Sequence, residues 1–190
     1  MKKLTVLVDM DDTIEQLLAA WVRLANRRFG ADVQIEQIAD WDVSKAFENA
    51  THDEVYALLQ EPALYEQVEP IEDAPQYLKR LIDDGHDVYI VTSSPYQVMH
   101  VKVETILKRY FPYIDWEHVI LTYNKSLIRG DVLVDDGVHN LVGFPGARIL
   151  FSAPHNRAFD ADAAGMLRVD TWPQAYAAIC LLSEGNETSE

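Results

Sequence analysis

The sequence predicts an α/β fold, a parallel sheet with a small helical cap inserted after its first strand. Three observations carry this expectation. "LTVLV" (4–8), "DVYIV" (87–91) and "DVLV" (131–134) are unbroken apolar and β-branched runs, as expected of strands buried on both faces of a parallel sheet. Segments with apolar residues at three- and four-residue spacing lie between them, as crossover helices would. The interval between the first two runs is far longer than one crossover needs.

Further strands are expected at "ARILF" (147–151) and "HVIL" (118–121), and helices at 14–29, 74–84, 97–110 and 172–182. The second of these helices has Pro75 near its start and Gly85 just past its end, the usual punctuation of a helix. The long interval holds helical stretches and several aromatics, including Trp41, Phe47 and Tyr65, and closes near Pro70 and Pro75. The expected division is a core of residues 1–13 and 73–183, a cap of 14–72, and a polar tail of 184–190.

Composition narrows the function. At 48% hydrophobic residues, the 190-residue chain can bury one sizeable core. A formal charge of −15 argues against a nucleic-acid polymer as partner, because no basic cluster is there to hold a phosphate backbone. A small phosphorylated ligand is compatible, since one metal ion and one lysine can reverse the local field. Cys180 is the single cysteine, which fits a reducing compartment. The apolar run after "MKK" stops at Asp9, too short for a signal peptide, and no stretch is long enough to span a membrane. The expectation is a cytoplasmic protein without a membrane partner; a homodimer is left open.

The chemistry lies where strands end. Ligands of open α/β sheets sit at the carboxyl edge of the strands, and here three strands deliver Asp9 and Asp11, Thr92 and Ser93, and Asp135 and Asp136 to that edge. Lys125 precedes the third of them. Asp9 could attack phosphorus to give an aspartyl-phosphate, with Mg²⁺ screening it from the incoming dianion. Asp11, two residues on along an extended segment, could face the same phosphate and move the proton. Thr92 and the amides after it would bind phosphate oxygens, and Lys125 would neutralise the remaining charge.

These four segments, "DMDDT", "VTSS", Lys125 and "VLVDD", match in order the four motifs of the haloacid-dehalogenase-like hydrolase superfamily. Within it the chain resembles the 5′(3′)-deoxyribonucleotidases over most of its length, notably in "LYEQVEPIEDAPQYLKRL", "VILTYNKSLIRGDVLVDD" and "ILFSAPHNRAF". The resemblance implies a Rossmann-like core and a phosphomonoesterase acting on a small phosphorylated substrate, a nucleotide. It implies Asp9 as nucleophile and Asp11 as acid and base. Mg²⁺ would be held by the Asp9 carboxylate, the Asp11 carbonyl and Asp136, with Asp135 beside it or one shell out. In the cap, Trp41 and Tyr65 look like pocket aromatics, and Leu17 stands where the family carries another. Asp12-Thr13 replaces the family's usual Gly-Val.

Plainer roles are expected elsewhere. His155 and Asn156 read as a helix cap or loop anchor, and His52 and His86 as surface residues. A sugar-phosphate phosphatase of the same superfamily is the main alternative function. A receiver-like phosphoacceptor domain fits less well, because Asp11 would hasten loss of the phosphoryl group that a signalling domain must keep. A non-catalytic binding protein is disfavoured by the complete set of catalytic parts.

Overall fold

A computed structural model of the chain describes residues 2–185. Among them six strands form one all-parallel sheet in the order β3-β2-β1-β4-β5-β6. They are β1 (Thr5–Val8), β2 (Asp87–Thr92), β3 (Val119–Leu121), β4 (Val132–Asp135), β5 (Ala147–Phe151) and β6 (Leu167–Val169). The strand at 167–169 was not expected: three residues, one of them Arg168, are too few to show a pattern.

β1 is central and pairs with β2 on one side and β4 on the other, Val8 lying opposite Ile90 and Val134. Alternation along the strands divides the core between two faces. Val6, Val8, Ile90 and Val134 belong to a large cluster with α4 (Ala74–Asp83) and α8 (Trp172–Glu184). Leu7, Val91 and Leu133 belong to a smaller one with Leu141 of α7 (Val138–Leu141). α8 runs through Glu184, so the expected tail begins no earlier than Gly185; Asn186–Glu190 lie outside the described residues.

Between β1 and α4 the chain forms α1 (Leu17–Phe29), α2 (His52–Ala57), α3 (Pro62–Tyr65) and several 3₁₀ turns. α1 begins at Leu17 rather than residue 14, because 10–16 is spent on turns. The outgoing and returning segments are tied together: Gln16 N–H donates to Glu69 O and Ile71 N–H to Ile14 O, each at 2.9 Å. Trp172, fully buried at the start of α8, donates its indole N–H to Thr13 O at 2.9 Å and fixes the exit of β1 from below. After β2, α5 (Tyr96–Lys102) passes into a π-helical turn, Val103–Leu107, and then α6 (Lys108–Tyr110).

His86 corrects an expectation. It is buried at the opposite end of the sheet from Asp9, and its Nδ1 accepts the Leu4 N–H at 3.2 Å. Burial lowers its pKa, against an upward pull from Asp84. The acceptor role requires the neutral ring. A depressed folded-state pKa gives stability that is complete above the unfolded value, about 6.5, and lost as pH falls through the folded one. Melting curves from pH 7.5 to 5 should therefore show the advantage of wild type over His86→Phe shrinking with acidity; a constant gap would contradict this.

Candidate active site

The register explains why the site assembles. In register, β1, β2 and β4 end within two residues of one another, so Asp9, Ser93 and Asp136 emerge at the same carboxyl edge, beside the β1–β4 boundary where strand order reverses. Asp9 N–H donates to Val134 O at 2.9 Å, extending the β1–β4 ladder by one bond.

Lys125 is buried between two of the expected acids. Its Nζ lies 2.5 Å from Asp9 Oδ1 and 2.6 Å from Asp135 Oδ2. Burial would lower its pKa, but Asp9 and Asp135 outweigh burial and hold the ammonium charged. The other Asp135 oxygen accepts from Gly137 N–H at 2.7 Å and Asn140 Nδ2 at 3.0 Å. A Cβ on Gly137 would come within 3.0 Å of that oxygen, so the bare backbone lets the carboxylate approach. Asp135 thus serves mainly to fix Lys125.

Asp9, Asp135 and Asp136 each offer an oxygen within 4.8 Å of the others. All three are carboxylates, a donor set suited to a hard divalent cation. The electrostatics agree. Burial, with neighbouring carboxylates, pushes Asp9, Asp12 and Asp136 well above the ordinary range; Lys125 offsets this only in part at Asp9 and Asp136, as the Leu18 N–H does at Asp12. Protein cations alone leave the cluster under-neutralised, so its residues fit a bound metal.

At Asp12, where the resemblance implies Gly, the backbone is left-handed. Its φ is +52°, a left-handed conformation that Asp tolerates and bulkier residues avoid. Its carboxylate accepts the Leu18 N–H at 3.0 and 3.2 Å, capping α1, where Gln16 makes no side-chain cap. Asp12→Ala should lose this cap and keep the strained backbone, costing about 2 kcal/mol. Urea unfolding at neutral pH would measure the loss; an unchanged midpoint would show that Asp12 does not hold the helix.

A pocket of about 220 Å³ opens over these groups, and its walls differ in character. The sheet side presents Asp9, Asp11, Ser93, Lys125, Asp136 and His155. The segment between β1 and α4 contributes the apolar and aromatic Leu17, Leu18, Trp21, Val43, Tyr56 and Leu59. The Trp21 indole N–H is already spent on Val55 O at 2.9 Å, so that ring faces the pocket as an apolar surface.

The expected residues fall into place unevenly. Asp9, Asp11, Ser93, Lys125, Asp136, Leu17 and Trp41 all line the pocket. Trp41, half exposed, meets His139 and His155 edge-on at centroid distances of 4.6 and 4.9 Å. Tyr65 does not reach the pocket. It is 1% exposed and its hydroxyl donates to Leu59 O at 2.6 Å, making it a core residue of the segment between β1 and α4. Thr92 also lies beneath the surface, its hydroxyl 3.4 Å from that of Ser94, so Ser93 is the side chain presented from this loop. Asn156 is the expected anchor, donating to Asp136 O and Phe151 O, but His155 lines the pocket, its Nε2 3.1 Å from Asp136 Oδ2.

Two neighbours of Asp11 escaped the sequence reading. Lys102 Nζ donates to Asp11 Oδ1, and Glu15 lies 3.9 Å from the same ammonium; both side chains are fully buried. Burial raises Asp11, yet Lys102 and Glu15 reverse this and hold it below the ordinary carboxylate range.

A family model described as "5' nucleotidase, deoxy (Pyrimidine), cytosolic type C protein" matches residues 2–184. The chain belongs to this family. Among individual relatives it is 34% identical over 175 residues to a 5'(3')-deoxyribonucleotidase of Bacillus subtilis, covering 92% of this chain and 96% of that one. It is 31% identical over 180 residues to a 5'(3')-deoxyribonucleotidase of Clostridium acetobutylicum, covering 93% and 95%. A HAD family hydrolase from Deinococcus radiodurans R1, solved with bound phosphate and sodium, superposes with a TM-score of 0.62 at 18% identity, covering 94% of this chain and 95% of that one. The deoxyribonucleotidase family thus sits here on the haloacid-dehalogenase-like fold, and the protein is a phosphoric monoester hydrolase of that type. Among the described residues, no helix is long and apolar enough to cross a membrane.

Proposed function

We propose that the protein hydrolyses deoxynucleoside monophosphates to nucleoside and phosphate, with Mg²⁺ and through a phosphorylated Asp9. The observation that carries this is the contrast between the pocket walls: a charged floor suited to phosphate faces a cap of leucines and aromatics. A sugar would bring several hydroxyls against that apolar wall, where they would lose water without gaining partners. A nucleobase brings a flat, largely apolar face instead.

On this reading residues 14–72 act as the cap and the remainder as the catalytic core. Asp9, Asp136 and the Asp11 carbonyl would hold Mg²⁺, which supplies charge neutralisation at the phosphate when bound. An Asp9 oxygen attacks phosphorus while the ester P–O bond breaks, and Asp11 gives its proton to the leaving oxygen. A phosphate dianion arriving beside Asp11 raises its pKa toward the protonated form this step requires. Water then attacks phosphorus, its proton goes to Asp11, and Asp9 is released with inorganic phosphate. Lys125 keeps an ammonium against Asp9 throughout, and Ser93 offers a hydroxyl to the phosphate oxygens.

The test is a panel of nucleoside 5′- and 3′-monophosphates against sugar phosphates, with Mg²⁺ and with chelator. The expected result is a kcat/KM at least about tenfold higher for a deoxynucleotide than for any sugar phosphate. Higher values on sugar phosphates would overturn the substrate assignment and leave the phosphatase fold untouched.

A further inference from the structure

Lys102 occupies an unusual place for a lysine. It is the last residue of α5, its side chain is 0% exposed, and the pocket does not reach it. Two of its ammonium hydrogens are spent on hydrogen bonds to fixed groups. One goes to Asp11 Oδ1, one to Ser94 Oγ at 2.8 Å, and Glu15 Oε1 lies 3.9 Å away. The Tyr65 ring lies beneath, its centroid 5.7 Å from Nζ, which gives this core tyrosine a role at one remove from the pocket.

The surroundings tie together three parts of the molecule. Asp11 follows β1, Ser94 follows β2, and Glu15 stands where the segment leaving the core bridges the returning chain at Pro70. Ser94 in turn lies 3.4 Å from the Thr92 hydroxyl. The helix changes from α to π hydrogen bonding at the next residue, Val103–Leu107, a distortion of the kind often found at functional sites. A buried ion pair is a costly way to gain stability, since two apolar residues of similar volume would serve as well or better. Fixed orientation is what the arrangement supplies.

We infer that Lys102 is a positioning residue for the proton-transferring Asp11, holding one carboxylate oxygen so that the group stays aligned with the pocket, with Glu15 and Ser94 locking the ammonium in turn. This rests on the acid–base reading of Asp11. Lys102 does not touch the substrate, so its removal should act on the chemical step rather than on binding.

In the full-length Mg²⁺-loaded enzyme, Lys102→Met should lower kcat on a deoxynucleoside monophosphate by about 100-fold, with KM moved less than about threefold. Lys102→Arg should recover part of the loss. The deciding comparison is a double-mutant cycle. In the Asp11→Asn background, Lys102→Met should cost less than about threefold, because the carboxylate it serves is gone. An equally large loss in that background overturns the inference, as does full kcat in Lys102→Met alone. Full turnover by Asp11→Asn overturns the acid–base reading and this inference with it. A large Asp11→Asn loss with an additive Lys102→Met loss removes this inference alone. If Lys102→Met does not fold, Lys102→Met with Glu15→Gln removes the buried ammonium and the carboxyl group that faces it together and takes its place in the cycle.

Discussion

Asp9→Asn is expected to lower kcat for phosphomonoester hydrolysis by at least about 10⁴-fold while leaving the protein as stable as wild type or more so. The two halves of this expectation come from the same geometry. Asn matches Asp in size, but its amide oxygen is no nucleophile, so the covalent step is lost. Folding, in contrast, gains. Asp9 is buried, and Asp135, Asp136 and Asp11 all oppose its charge. Without metal, removing that charge relieves repulsion, and Lys125 keeps Asp135 as its partner at 2.6 Å. Steady-state kinetics beside melting curves in chelator separate the effects. Near-normal turnover would show that Asp9 is not the nucleophile; a collapse in melting temperature would show that the loss is structural.

Removing divalent metal should be nearly as damaging. Chelation is expected to reduce turnover by at least about 10³-fold, with recovery on adding Mg²⁺. The argument is the charge count at the β1–β4 edge, where Asp9, Asp135 and Asp136 converge and burial holds Asp9 and Asp136 far from their preferred ionisation. A cation that binds the folded form should also raise its stability, by about 2.7 kcal/mol at a hundredfold excess over Kd. Activity and melting temperature should therefore rise together as Mg²⁺ is titrated in. Turnover that persists in chelator would refute the metal requirement, and activation without any thermal shift would place the ion somewhere other than this cluster.

Much of this site was legible in the sequence because unbroken strands point at it. "LTVLV", "DVYIV" and "DVLV" could be recognised as buried in a parallel sheet, and the residues that follow such strands must share one edge. The segment between β1 and α4 was legible as a length of chain but not as a surface. Tyr65 and Trp41 are both aromatics of that segment, yet one is buried under Lys102 and the other stands at the pocket mouth; composition does not distinguish them. Lys102 was hidden because lysine on an amphipathic helix normally points to water. A signal existed, since Val98, Lys102 and Ile106 recur at four-residue spacing and both flanking residues are buried. His86 beside a Gly turn reads as surface for the same statistical reason, and its bond to Leu4 N–H depends on a partner 82 residues away. Asp12 was visible as a departure from the related family, but its left-handed φ and its cap on α1 follow from the backbone path alone.

The central claim is that Asp9 carries the phosphoryl group between the two halves of the reaction. Asp11→Asn loses both the proton donor of the first half and the group that takes the proton from water in the second, so with an aryl phosphate, whose leaving oxygen needs no proton, the first half proceeds and the intermediate should accumulate. The direct measurement is to mix this variant with p-nitrophenyl phosphate and Mg²⁺, quench in acid, and locate the added phosphoryl group by peptide mass. The expected result is one phosphoryl group on the peptide that begins the chain, assigned to Asp9 and absent from Asp9→Asn. A phosphoryl group on any other residue, or product released at the wild-type rate with Asp9 unmodified, would contradict the account.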